Sequence, residues 1–202
     1  MSCMTFENNN WIILWRINTR TREMAYLFTS KRLGFRNWEI TDIPKMAAIS
    51  GDPEVMRFFP STQSEEETSK FIDRMKNMYD ERGHCFYAVE SLESRSLIGF
   101  IGISYATFKS DFTPAPELGW RLGRSFWGHG YATEGAKRCI EYGMKDLGIE
   151  NFIAVAPKIN VPSINVMKKI GMKKFCDFIH PSVEAYPDFR NCVCYVYGLE
   201  VG

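Results

Sequence analysis

The stretch Glu117 to Ala136, reading ELGWRLGRSFWGHGYATEGA, limits what this chain can fold into more than any other. Glu117 to Leu122 is rich in strand formers, Gly123, Arg124 and Ser125 break it, and Trp127-Gly128-His129-Gly130 makes a tight turn. Ala132, Gly135, Ala136, Cys139, Ile140, Gly143 and Leu147 then recur at steps of three and four, as the buried face of an amphipathic helix does. A strand, a glycine turn and a helix in this order suit anion capture. The first N–H groups of a helix lack intrahelical partners, the dipole adds partial positive charge, and glycines let a phosphate come close. The turn is therefore expected to hold a pyrophosphate; the competing reading is a plain connection, because glycine turns before helices are common. Two nucleotide motifs are excluded: no G-x-x-x-x-G-K-[ST] occurs, and Thr133 takes the third glycine position of G-x-G-x-x-G.

A chain of 202 residues with 45% hydrophobic content is expected to bury one substantial core. Its formal net charge of +1, without a helix-length basic run, argues against a nucleic-acid partner held by phosphate neutralisation. Cysteines 3, 85, 139, 176, 192 and 194 show no C-x-x-C spacing, which reads as reduced thiols in a cytoplasmic protein. His84, His129 and His180 form no recognisable ligand spacing with them, so no metal is expected. Trp11 to Trp15 is too short to span a bilayer, and arginines follow it rather than precede it, so no membrane partner is expected. Residues 1–30 read as an N-terminal extension and 31–202 as the domain.

Within the domain, Leu33 to Ile40 reads as a strand, Thr41-Asp42 as an N-cap and Ile43 to Ser50 as a short helix. Ser64 with Glu67 has capping-box spacing before a helix whose Phe71, Met75 and Met78 share a face, ending near Gly83. Cys85 to Glu90 and Leu97 to Tyr105 suit an antiparallel hairpin, and the Ala106 to Pro116 connection is either functional or exposed. Asn151 to Ala156 reads as a buried strand. Asn160 then caps a helix with Pro162 in its first turn and Gly171 at its end, and Lys173 to Ile179 and Cys192 to Leu199 supply the last strands.

The segment W-G-H-G-Y-A-T-E after the E-L-G-W strand, and N-V-P-S-I-N-V-M-K-K-I-G-M after the next strand, resemble the GNAT superfamily of acyl-CoA-dependent N-acyltransferases, and within it the RimJ/RimL-like branch. The resemblance runs over roughly residues 31–200 and includes D-P-E-V-M-R-F-F. It implies a mixed α/β (α+β) GNAT fold, with a mostly antiparallel central sheet, a splayed parallel pair and helices on both faces. It also implies acetyl-CoA as co-substrate, bound by Trp127, Gly128, His129, Gly130, Tyr131 and Ala132 at the pyrophosphate and by the backbone of Trp120, Arg121 and Leu122 along the pantetheine arm. Asn160 matches the asparagine that meets this arm. The family pattern [QR]-x-x-G-x-[GA] has Ser125 in its first position here, a departure; Arg124 beside it either faces a phosphate or is a solvated loop residue.

The implied reaction transfers acetyl to a primary amine, either a protein N-terminal α-amine or a small molecule. Glu117 matches a carboxylate position associated with catalysis, as base directly or through water, or as a binder of the amine; a solvated strand-end charge is the bland reading. Ser163 matches a serine placed to hydrogen-bond the leaving sulfur, or is only a first-turn helix residue. A non-catalytic acetyl-CoA-binding regulatory module is the alternative function. The final strands offer an edge for a homodimer.

Overall fold

The computed structural model describes residues 26–199. The expectations for Trp11 to Trp15, for Cys3 and for most of the N-terminal extension lie outside the described residues. The boundary at residue 31 needs correction, because β1 (Phe28–Thr29) already pairs antiparallel with β2 (Leu33–Arg36). Phe28 is buried between the rings of Phe35 and Tyr142, at centroid distances of 4.4 and 4.1 Å. An aromatic side chain stacked on both sides buries too much apolar surface to belong to an appendage.

After β2 come a 3-10 turn (Ile40–Asp42), α1 (Ile43–Ser50), α2 (Pro53–Met56) and α3 (Glu65–Arg82). The hairpin β3 (Phe86–Ser91) and β4 (Ser96–Ala106) leads to β5 (Ala115–Leu122), α4 (Tyr131–Asp146) and β6 (Phe152–Pro157). α5 (Val161–Lys169), β7 (Lys173–Ile179) and β8 (Asn191–Tyr197) complete the described chain. The strands form one sheet in the order β1-β2-β3-β4-β5-β6-β8-β7, antiparallel at every junction except β5 to β6, which is parallel. Among the described residues no helix is long and apolar enough to cross a membrane.

Local signals explain most of these elements. Ser64 accepts from the Glu67 N–H at 3.1 Å while Glu67 accepts from the Ser64 N–H at 2.7 Å, and Gly83 ends α3 in the left-handed region at φ 75°. Strand β2 is shorter than Leu33 to Ile40. Past Arg36 the chain leaves the sheet, with the Trp38 indole donating to the Phe86 carbonyl at 2.7 Å and Ile40 to Asp42 coiling into the 3-10 turn. Asp42 precedes α1 but makes no capping bond to it; its carboxylate is taken by Arg36.

Cross-strand register divides the sheet into two faces. One carries Phe100, Gly102 and Ser104 of β4 opposite Arg121, Gly119 and Glu117 of β5. α3 covers this face, with Phe71 5.2 Å from Phe100 and the Ser104 hydroxyl donating to the Met78 sulfur. The other face carries Ile101, Ile103, Leu118 and Phe152. α4 lies so close to it that a Cβ at Gly135 would collide with Ile101 and one at Gly143 with Phe152. Glycine is needed at both positions for close approach, a reason that helix periodicity alone does not supply.

Beneath the first half of the sheet, Arg36 holds Asp42 bidentately at 2.7 and 2.7 Å and reaches Glu90 at 2.6 Å, all three being buried. Tyr26 donates to the second Glu90 oxygen at 2.9 Å. Burial works against the guanidinium charge, but the two carboxylates outweigh it and hold the proton more tightly than usual. Arg36→Met would leave two buried carboxylates without their cation. It is expected to destabilise the protein by about 3 to 5 kcal/mol, read as a lower urea midpoint at unchanged slope; a loss below about 1 kcal/mol would show that the triad behaves like a surface pair.

Candidate active site

The sheet opens where its one parallel junction lies. β5 and β6 share a single pairing, Glu117 with Ile153, and diverge toward their C-terminal ends. The Gly123 N–H donates to the Ile98 carbonyl at 3.0 Å, across to β4. Since backbone groups alternate direction along a strand, Arg121 also turns its N–H and C=O toward β4, whereas Trp120 and Leu122 turn theirs into the gap. Of the three strand residues named for the cofactor arm, Trp120 and Leu122 thus face the gap with their backbone and Arg121 faces β4. The Leu122 carbonyl already accepts from the Trp127 indole at 2.8 Å, which ties the glycine turn to the strand end.

The turn itself is built by backbone conformation. Gly128 and Gly130 both sit at φ 78°, in the left-handed region that penalises a side chain. A Cβ on Gly128 would meet nothing within 4 Å, so the space over the turn is open. Gly130 is the N-cap of α4 and brings no side chain to satisfy it. The first intrahelical bond runs from the Glu134 N–H to the Gly130 carbonyl at 3.0 Å, so the N–H groups of Tyr131, Ala132 and Thr133 precede the ladder.

Arg32, which sequence reasoning missed, braces this turn. Its guanidinium donates to the His129 carbonyl at 3.0 Å and to Glu134 at 2.7 Å, and it lies 4.5 Å over the Tyr131 ring. Glu134 also accepts from the Ser30 hydroxyl and the Arg32 N–H; burial pushes its carboxyl up, but these bonds outweigh it and hold the carboxyl below its usual range. No local pattern reveals a contact across about a hundred residues. Arg57 stacks 5.2 Å from the Trp127 ring, and Arg124 lies 3.6 Å from Asp52 with 63% of its side chain exposed. Each of the three arginines already has a carboxylate partner, Arg32 in Glu134, Arg57 in Glu54 at 3.1 Å and Arg124 in Asp52. His129 is exposed, its ring 5.7 Å from that of Tyr131.

Across the gap, Asn160 follows β6 and caps α5, its side-chain oxygen accepting from the Ser163 N–H at 3.2 Å. The hydroxyl of the half-buried Ser163 makes no hydrogen bond among the described residues. Both expected residues therefore lie just past the C-terminal end of β6, at the start of α5.

Glu117 sits at the vertex, its side chain on the face covered by α3. It keeps part of its surface accessible, yet the protein crowds its carboxyl, and no hydrogen bond or ion pair reaches it among the described residues. Burial alone raises its pKa from 4.5 to about 7. Near neutrality such a carboxylate is divided between its two forms, as a proton acceptor requires. The loop after β4 closes one side: Phe108 stacks on Phe178 at 5.9 Å and lies 4.4 Å from the His180 ring, while Phe112 is 5.0 Å from Phe178. Its two aromatic rings are packed onto the sheet, while Thr107, Lys109, Asp111 and Pro114 stay exposed. Beside it, Cys176 faces Cys194 across β7 and β8, and burial raises the thiols of Cys192 and Cys194 to about 11 and about 12. Among the described residues no group of three His, Cys, Asp or Glu side chains could hold a metal.

A family model described as an acetyltransferase (GNAT) domain matches residues 32–173. The chain belongs to the GNAT acetyltransferase family. It is 32% identical over 147 residues to the uncharacterized N-acetyltransferase YnaD of Bacillus subtilis (strain 168), covering 72% of this chain and 82% of that one. Among solved structures, a GNAT-family acetyltransferase from Bacillus anthracis superposes with TM-score 0.70 at 25% identity, over 84% of this chain and 96% of that one. RimL, a ribosomal L7/L12 α-N-protein acetyltransferase solved with coenzyme A, shares the fold at TM-score 0.69 and 16% identity, over 88% of this chain and all of that one. The splayed parallel pair expected from the resemblance is present in this acetyltransferase, with helices on both faces of the sheet.

The buried carboxyl has a signature in stability. A folded-state pKa raised to about 7 means that Glu117 favours the native state most below its unfolded pKa, and that this contribution is lost as pH rises through 7. Glu117→Gln carries no charge to bury. Relative to the wild type it is expected to gain stability between pH 5 and pH 8, by up to about 3 kcal/mol, in urea titrations at the two pH values. A difference that does not change with pH would contradict the burial of the carboxylate.

Proposed function

We propose that this acetyltransferase transfers acetyl directly from acetyl-CoA to a primary amine, with Glu117 as the base. The observation that carries the reading is the single β5–β6 pairing: beyond it the strands part, and an unpaired carboxyl with a pKa near 7 stands at the vertex. The pyrophosphate fits the open turn from Trp127 to Ala132, where free N–H groups and the helix dipole favour negative charge and Arg32, bonded to the turn's own carbonyl, holds the backbone in place. The pantetheine arm fits the gap, taking backbone bonds from Trp120 and Leu122 on one side and meeting Asn160 on the other.

In the reaction the amide C–N bond forms and the thioester C–S bond breaks. Glu117 accepts the proton that the attacking amine loses, directly or through one water. The Ser163 hydroxyl is offered to the departing sulfur, which leaves as thiolate. A backbone N–H facing the gap is the natural donor to the carbonyl oxygen as negative charge develops there. The fold-level likeness to RimL, an α-N-protein acetyltransferase, keeps an N-terminal amine among the acceptors alongside small amines.

Saturating acetyl-CoA is expected to raise the melting temperature, and Gly128→Val to weaken its binding by roughly tenfold, since a β-branched residue at φ 78° strains the turn by about 1–2 kcal/mol. An unchanged Kd would place the pyrophosphate elsewhere. In the wild type, kcat is expected to fall as pH drops below about 7, with the same midpoint for two acceptors of different amine pKa. Glu117→Gln should abolish that limb and lower kcat on the order of 10²- to 10⁴-fold; a variant with the wild-type pH profile would remove Glu117 as the base.

A further inference from the structure

Arg121 stands on the same strand face as Glu117, four residues along β5 and therefore about 13 Å away. Its surroundings differ sharply from those of Arg36, the buried arginine of β2. Arg36 is neutralised by two carboxylates, whereas Arg121 has none: Nη1 donates to the Ser50 hydroxyl at 3.0 Å and to the Gln63 side-chain oxygen at 2.8 Å, both neutral. Nε is buried without a partner. Nη2 makes no hydrogen bond among the described residues and, unlike Nε, is not sealed from solvent. The guanidinium lies 4.7 Å from the centroid of the Phe59 ring, which is itself 42% exposed, and 5.4 Å from that of Phe100.

Proteins rarely bury a cation without an anion, because the lost hydration is not returned by neutral acceptors. Here burial draws the pKa down to about 10, with no opposing charge. A residue needed only to tether Gln63 and Ser50 has no use for a charge. The two rings fix the plane of the fork and the two hydrogen bonds fix its direction, so a ligand anion would find it already oriented. With both Nη1 hydrogens taken and Nε sealed, the N–H groups of Nη2 are the ones a ligand oxyanion would meet, in a charge-assisted hydrogen bond.

We propose that the acceptor is a small amine that also carries an oxyanion, a carboxylate or a phosphate, and that Arg121 binds this group on the face of the sheet where Glu117 receives the amine. The proposal rests on the acetyltransfer reading of Glu117. With the nitrogen against Glu117, the anion lies on the order of 10 Å from it, a spacing that α-amino acids lack and that longer amino carboxylates or short peptides with free C-termini reach.

The test compares matched pairs of acceptors by thiol release: ω-amino carboxylates and tripeptides against their carboxamides, and aminoalkyl phosphates against the corresponding amino alcohols. In the wild type the anionic member of at least one pair is expected to exceed its neutral partner tenfold or more in kcat/KM, mainly through KM, and the pair that does so tells carboxylate from phosphate. In Arg121→Met that ratio should fall to near one. Equal use of both members by the wild type, or a variant that slows both by the same factor, overturns the proposal; the second outcome would mark a tether. A binding measurement stands apart from turnover. With CoA saturating, glutarate or inorganic phosphate should raise the melting temperature of the wild type and not of Arg121→Met, and no rise in the wild type overturns the proposal even if acetyl transfer to neutral amines is found. Absence of any CoA-dependent shift and of turnover with every amine would instead strike at the acetyltransfer reading itself.

Discussion

The structure turns on one backbone pairing, Glu117 with Ile153. It holds β5 and β6 together at one end only, and the right-handed twist of the sheet then carries the two strands apart. The divergence leaves Trp120 and Leu122 with backbone groups facing a gap rather than a neighbour. It also places the start of α4 and the start of α5 at the mouth of that gap, one after each strand. A gap between two strands, a helix start with N–H groups outside the ladder and a capped helix with a free serine hydroxyl follow from a single interrupted ladder.

The same pairing decides the chemistry of Glu117. A carboxylate at an exposed strand end would be solvated and a poor base. At the vertex it is enclosed by β4, β6 and the α3 side of the sheet, and no cation or donor compensates. The contrast with Arg36, Asp42 and Glu90 is instructive. There three buried charges satisfy each other and serve stability; Glu117 and Arg121, on the same sheet, are left uncompensated where a ligand would complete them. Local instability of this kind is tolerated because the core elsewhere is well packed, with the Phe28 ring in contact with those of Phe35, Tyr87 and Tyr142.

What could be read from sequence was whatever is written in short spacings. The capping box of Ser64 and Glu67, the buried stripe from Gly135 to Gly143, the Asn160 cap and the two glycines of the turn all depend on neighbours within a few residues, and each appears where its pattern indicates. The misses depend on distant partners. Asp42 has the composition of a helix cap but is claimed by Arg36, a competition invisible to a local rule. β1 is two residues long and carries no periodicity, so nothing local marks it as part of the sheet, although Phe28 is fixed by rings from β2 and α4. Arg32 reaches the glycine turn, and Arg121 reaches Ser50 and Gln63, only once the sheet has formed.

The central claim is that enclosure at the β5–β6 vertex, without a counter-charge, sets the proton affinity of Glu117. The direct measurement is a pH titration of its side-chain carboxyl by carbon NMR, in protein labelled at glutamate carboxyls and assigned by comparison with Glu117→Gln. The account predicts a midpoint near 7. A midpoint close to the ordinary 4.5 would mean that water reaches the carboxylate freely, and the vertex would then be a hinge in the sheet and not the seat of a base.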